Sequence, residues 1–202
     1  MRQTTRWEAK TAADPQHSHW YVERFRRMAS DGQDLAGEAR FVDAMVGRGA
    51  RVLDAGCGPG RVGGELATRG HTVVGVDVDP VLIEAAVTDH PGPQWLVGDL
   101  AELDLPAAGV PEPFDVAVCA GNVITFVAPG TEVEVLRRLG AHLRSDGRIV
   151  IGFGGGRGYA FDAFFRDVEA ARLHVDAAFS TWSLRPFDAS TSDFLVAILR
   201  RG

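Results

Sequence analysis

Apolar residues follow two rhythms along this chain. Trp20, Phe25 and Met28, then Leu35, Phe41, Val42, Met45 and Val46, recur at helical spacing on either side of an Asp31-Gly32 break. This predicts two amphipathic helices, over about 18–29 and 34–47. From residue 50 the pattern becomes short Val-rich runs separated by helix-like stretches, the βα alternation of a parallel sheet whose strands are buried on both faces. Strands are predicted at about 50–54, 72–77, 94–98, 114–119 and 147–153, and helices at about 61–69, 80–88, 131–143 and 161–171. Asp79-Pro80 marks one helix start sharply: the aspartate can cap it, and proline suits the first turn, where a missing N–H costs nothing. The tail differs. Two β-rich runs, about 174–184 and 193–200, have no helix between them, so this late pair must be antiparallel. The expectation is one α/β domain over 1–202, made of a helical cap (1–49) and an α/β core (50–202).

Composition narrows the class. Of the 202 residues 46% are hydrophobic and 24% charged, ordinary globular usage that excludes a disordered or fibrous chain. The 24 glycines exceed common usage and call for tight turns or close backbone approach. With 27 acidic and 21 basic residues the net charge is −6, and the one dense basic cluster, Arg24, Arg26 and Arg27, reads as a solvated helix face. No nucleic-acid partner is therefore expected, since phosphate neutralisation needs clustered cations. Cys57 and Cys119 fall at no disulfide or zinc spacing, and His17 and His19 lack companion ligands, so no metal is expected. His71, in the turn before a strand, is expected at the surface. Residues 1–15 lack the apolar core of a signal peptide and no 18-residue apolar run occurs. A protein of the reducing cytoplasm, without a membrane span, is expected.

The chemistry gathers after the strands. Val52-Leu53-Asp54-Ala55-Gly56-Cys57-Gly58-Pro59-Gly60 is a buried strand running into a glycine turn and then a helix, so a ligand can touch the main chain there. Residues 58–63 also satisfy the Gly-x-Gly-x-x-Gly of dinucleotide sites. Asp54 counts against that reading: at the strand's carboxyl end it would repel a pyrophosphate and suits a cationic ammonium instead. Asp77 ends the next strand, where a carboxylate can accept both ribose hydroxyls of a nucleoside. Gly98-Asp99-Leu100 follows the third, with an acid that could accept the exocyclic amine of adenine. Asp54, Asp77 and Asp99 thus end three successive strands, at the edge where open α/β sheets bind ligands.

Over about residues 50–155 this pattern resembles the class I S-adenosylmethionine-dependent methyltransferases. The resemblance implies a Rossmann-like, doubly wound seven-stranded sheet in the order 3-2-1-4-5-7-6 with strand 7 antiparallel, and S-adenosylmethionine as cofactor. It also implies that Asp54, Ala55, Gly56, Cys57, Gly58 and Gly60 meet the methionine part, that Asp77 and Val78 hold the ribose, and that Asp99 and Leu100 border the adenine. Ala120 and Gly121 would lie beside the methyl group. The segment Ala117-Val118-Cys119-Ala120-Gly121-Asn122 lacks the Asn/Asp-Pro-Pro-aromatic motif of amino-methylating nucleic-acid enzymes, which leaves a small-molecule acceptor entering beneath the cap. Tyr21, Asn122 and Tyr159 are the substrate-side candidates, and these three with His19 are the candidates for orienting the acceptor or removing its proton. No base is assigned. Trp20 and Tyr21 could close over the cofactor, and the loop Gly154–Tyr159 is expected on the substrate side. Two other readings stay open: an NAD-dependent oxidoreductase using Gly58, Gly60 and Gly63, and a non-catalytic S-adenosylmethionine-binding module.

Overall fold

A computed structural model describes residues 2–202. Its sheet is built from β1 (Arg51–Ala55), β2 (Thr72–Asp77), β3 (Gln94–Val97), β4 (Phe114–Cys119), β5 (Leu143–Gly154), β6 (Leu173–Phe179) and β7 (Phe194–Arg201). The spatial order is β3-β2-β1-β4-β5-β7-β6. β1 to β5 pair in parallel, as in Leu53 opposite Val74 and opposite Ala117, whereas β7 runs antiparallel to both β5 and β6. The absence of a crossover helix before β7 forced that reversal, as the sequence implied.

The central strands, β1, β2, β4, β5 and β7, are buried on both faces, and the edge strands β3 and β6 are more exposed. Leu53, Val74, Ala117, Ile149, Ile151 and Leu195 face one core, completed by Val135, Leu136 and Leu139 of α6 (Glu132–Ala141) and by Phe164 and Val168 of α7 (Phe161–Ala170). Val52, Val73, Val116, Val118, Val150 and Val196 face the other, with Phe41 and Val42 of α3 (Gly37–Asp43) and Val62 and Leu66 of α4 (Arg61–Thr68). Doubly buried strands explain the continuous Val runs that replace alternation in the sequence.

Helix α5 (Pro80–Asp89) starts at Asp79, whose Oδ1 accepts the Val81 N–H at 2.9 Å. Two amino-terminal helices, α1 (Arg6–Ala13) and α2 (His17–Ser30), lie against α5 and the turn after β4. α1 escaped the periodicity reading because Trp7 is its only buried apolar residue. Its signal was a capping box: Thr5 Oγ1 accepts the Glu8 N–H at 3.0 Å, and the Glu8 carboxylate accepts the Thr5 N–H at 2.9 Å.

Three predicted bounds change. The helix expected over 34–47 is confined to Gly37–Asp43, with Ala44–Val46 turning instead. β5 begins at Leu143, because a register shift between Phe114 and Val116 lets the chain around Gly147 keep pairing. β6 stops at Phe179, where Ser180 N–H bonds the Arg185 carbonyl in a turn. His71 is buried, not at the surface, with Nε2 2.9 Å from Asp43 Oδ1.

Candidate active site

The strand order reverses between β1 and β4, and the chain leaves β1 for α4 on one face and β4 for α6 on the other, which opens a crevice at the strands' carboxyl ends. A cavity of about 360 Å³ occupies it, within the range of small-molecule sites. Gly56, Gly58, Asp77, Val78, Gly98, Asp99, Leu100, Gly121 and Asn122 line its floor. α1 and α2 roof it with Trp7, Lys10, His17, Trp20, Tyr21 and Arg24.

The glycine turn is shaped for close approach. Gly56, Gly58 and Gly60 have φ of 76°, 54° and 83°, the left-handed region that side chains strain to occupy. A Cβ on Gly56 would overlap the Val123 side chain. Tyr21 covers the turn, its Cε1 3.8 Å from where a Gly58 Cβ would sit.

Asp77 is buried at the cavity wall. Its Oδ2 accepts the Gly58 N–H at 2.9 Å and its Oδ1 the Asp79 N–H at 3.0 Å. Each carboxylate oxygen offers a second lone pair, so two adjacent hydroxyls can be received while the turn stays pinned. Burial pushes this carboxyl up to about 6 against those N–H groups.

Asp54 lies elsewhere than expected. It does not line the cavity; it is buried beneath the turn, and its Oδ2 accepts the Gly63 N–H of α4 at 2.8 Å. Its side chain serves the helix start, because an unpaired N–H at that terminus is the nearest donor. Burial pushes its carboxyl up to about 7. Ala55, Cys57, Gly60 and Ala120 are likewise buried behind the cavity surface. Both cysteines are free thiols, with Cys119 pushed up to about 12 by burial.

These two raised carboxyls set a pH dependence. A folded-state value above the ordinary ~3.9 favours the folded protein below about pH 4, and that contribution is lost as pH rises through 6 to 7. The ligand-free protein is expected to lose on the order of 3 kcal/mol between pH 4.5 and pH 8 from Asp54 alone. Asp54→Asn, which keeps an acceptor for Gly63, is expected to flatten that slope in urea titrations. An unchanged slope would show that Asp54 does not titrate in this range.

The other candidates separate clearly. Asn122, with φ 69°, does not cap the following turn; its Oδ1 reaches across to accept the Gly154 N–H at 2.8 Å, leaving its amide N–H groups for other partners. Asp99 is doubly engaged, with Oδ1 accepting Ala101 N–H and Oδ2 accepting Arg2 Nη1, each at 2.9 Å. Tyr159 departs from expectation: it is 7% exposed, stacked on Phe153 at 5.6 Å, and its hydroxyl donates to Asp167 at 2.7 Å. The loop's contribution to the cavity is Arg157 instead. His19 does not line the cavity; His17 does, between Trp7 and Trp20 at 5.3 and 5.4 Å. Burial holds the His17 imidazole below its usual value. Tyr21 is pushed the other way by burial and stays a phenol. Arg24, read from sequence as a solvated cation, also faces the cavity. His17, Trp20, Tyr21 and Arg24 follow i, i+3, i+4, i+7 spacing, a stripe visible in the sequence once an aromatic and basic face counts as a signal.

Among the described residues no three His, Cys, Asp or Glu side chains are grouped to hold a metal, and no helix is long and apolar enough to cross a membrane.

Known proteins share this arrangement. The family described as "Methyltransferase domain" matches residues 52–147. The chain is 45% identical to a TehB-like S-adenosylmethionine-dependent methyltransferase of Corynebacterium glutamicum, covering 94% of this chain and 100% of that one with a TM-score of 0.87. It is 35% identical to the magnesium-protoporphyrin O-methyltransferase of Rhodobacter capsulatus over 151 residues, 70% of this chain and 61% of that relative's length. The magnesium protoporphyrin IX methyltransferase of Synechocystis PCC 6803, solved with S-adenosylmethionine bound, shares the fold at 19% identity and a TM-score of 0.59, over 94% of this chain and 83% of its own. Sheet order, glycine turn and full-length likeness agree: the chain belongs to the class I S-adenosylmethionine-dependent methyltransferases.

Proposed function

We propose that this chain transfers a methyl group from S-adenosylmethionine to a small-molecule acceptor in the cytoplasm, with residues 1–49 acting as a cap on the core at 50–202. The observation that carries this reading is Asp77, a buried carboxylate with one free lone pair on each oxygen, set beside a left-handed glycine turn at the cavity. That pair of acceptors fits the two hydroxyls of the cofactor's ribose. The 360 Å³ cavity under α1 and α2 favours a small acceptor.

When bound, S-adenosylmethionine supplies a methyl carbon already made electrophilic by its sulfonium, whose bonding electrons stay with sulfur on transfer. The chain's own residues supply placement, which can lower such a barrier by about 7–11 kcal/mol. Asp77 and Val78 would fix the ribose, and Gly56 and Gly58 would let the methionine part approach the main chain. Leu100 would lie against the adenine, with Asp99 held by Arg2 at its edge. Gly121 and Asn122 would bound the methyl position, the latter fixed by Gly154. Asp54, beneath the turn, would support it by holding the Gly63 N–H at the start of α4, without touching the cofactor. His17, neutral near pH 7 and facing the cavity, would accept a proton from the acceptor.

Calorimetric titration tests this directly. S-adenosylmethionine and S-adenosylhomocysteine are expected to bind at micromolar concentration and NAD not at all. Binding of NAD alone would overturn the reading.

A further inference from the structure

Most exposed arginines of this protein sit against carboxylates, as in Arg26 with Asp89, Arg40 with Asp34 and Arg200 with Asp176. Among the described residues Arg27, Arg48, Arg172 and Arg185 have no carboxylate partner within 4.0 Å, and neither do Lys10, Arg24 and Arg157, but only these last three line the cavity, Arg24 with its guanidinium carbon 5.8 Å from the Trp20 ring centre. The cavity's own carboxylates are already engaged, Asp77 by the Gly58 and Asp79 N–H groups and Asp99 by Arg2, so three cations without a carboxylate partner leave a positive field at its rim in a chain of net charge −6.

The cofactor accounts for one of them. S-adenosylmethionine has a single carboxylate against an ammonium and a sulfonium. Arg24 belongs to the helix whose Tyr21 covers Gly58, the side where the methionine part would lie. Lys10 and Arg157 stand on the other side. Lys10 Nζ is 6.0 Å from the Phe126 ring centre, in the turn after β4. Arg157 follows β5, with its Nε 3.3 Å and Asn122 Oδ1 3.6 Å from where a Gly154 Cβ would sit. Both therefore flank the end of the cavity where transfer would occur, and the cofactor brings no second anion to meet them.

Resting on the methyltransferase reading above, we propose that the methyl acceptor is an organic anion: a flat apolar body bearing a carboxylate or similar oxyanion, held between Lys10 and Arg157. Two cations and a sulfonium around the transfer point repel a protonated amine and favour an anion. The apolar body is received by aromatic side chains. Trp7 and Phe126 meet edge to face at 5.6 Å, and Trp20 is 51% exposed on the cavity rim. Large exposed aromatic surface beside unpaired cations is the chemistry that holds an aromatic anion.

The test uses the full chain saturated with S-adenosylhomocysteine, whose own titration comes first. Its failure to bind would overturn the cofactor reading and the anion assignment with it. Once it is bound, 2-naphthoate, 2-naphthamide and 2-naphthylmethylamine present one ring system with negative, neutral and positive groups. Calorimetry is expected to show naphthoate at least tenfold tighter than the amide and the amine weaker still. In the double variant Lys10→Gln, Arg157→Gln the gap is expected to close to under threefold while S-adenosylhomocysteine still binds. Equal affinities for the three compounds, no binding of naphthoate, or a gap that survives in the double variant would each overturn the assignment.

Discussion

Asp77→Asn is expected to lower S-adenosylmethionine affinity about a hundredfold or more. The ribose hydroxyls would lose at least one hydrogen bond to a charged acceptor, worth roughly 1.5–3 kcal/mol, and the amide would place a donor where Gly58 and Asp79 already present theirs. Stability moves less. One backbone bond weakens, but a buried charge raised to about 6 by its surroundings is removed. The thermal midpoint at pH 7.5 is expected to stay within about 4 °C, the equivalent of roughly 1 kcal/mol in a chain of this size. Calorimetry with scanning denaturation separates the two effects. Affinity lowered by less than fivefold would mean that the ribose is held elsewhere.

Asp79→Ala should have the largest effect on the protein itself. Its Oδ2 accepts Trp7 Nε1–H at 2.7 Å and the Ser18 hydroxyl, and its Oδ1 accepts the Val81 N–H at 2.9 Å. One buried carboxylate therefore starts α5 and fastens both α1 and α2 to it. Alanine would orphan three donors, each costing roughly 1–3 kcal/mol where water cannot reach. A loss of about 3–5 kcal/mol is expected, with faster proteolysis between residues 2 and 49 and weaker cofactor binding, because Trp7, His17 and Tyr21 of the roof depend on this anchor. An unchanged midpoint together with unchanged proteolysis would show that other contacts, such as Arg26 with Asp89 and Trp7 N–H with the Phe126 carbonyl, hold the roof unaided.

The contrast between these two aspartates shows what the linear pattern carried. Asp77 was legible because it ends a Val-rich strand one βα unit after a glycine turn, and that spacing leads to the sheet edge whatever packs around it. Asp79 was legible only as a cap. Its bonds to Trp7 and Ser18 span 72 and 61 residues, and Trp7 belongs to a helix that leaves no apolar stripe in the sequence. The same holds at the rim. His17, Trp20, Tyr21 and Arg24 share one face of α2, but which face looks into the cavity is settled by how α2 meets α5.

The sequence by itself determined the layered α/β sheet, the antiparallel late strand pair and the edge where ligands gather, while the strand order came with the family resemblance. The first three depend on local signals, such as Val runs, a left-handed glycine turn and a missing crossover helix, that constrain the backbone over a few residues. The tertiary structure alone decided where side chains point at that edge. It turned Asp54 under the turn to Gly63, sent Tyr159 into the core to Asp167, and put Arg157 and His17 at the cavity in the places the sequence had suggested for Tyr159 and His19. The physical reason is the same in each case. A buried polar group settles with the partner that satisfies it, and that partner is chosen by proximity in space, which chain order does not specify.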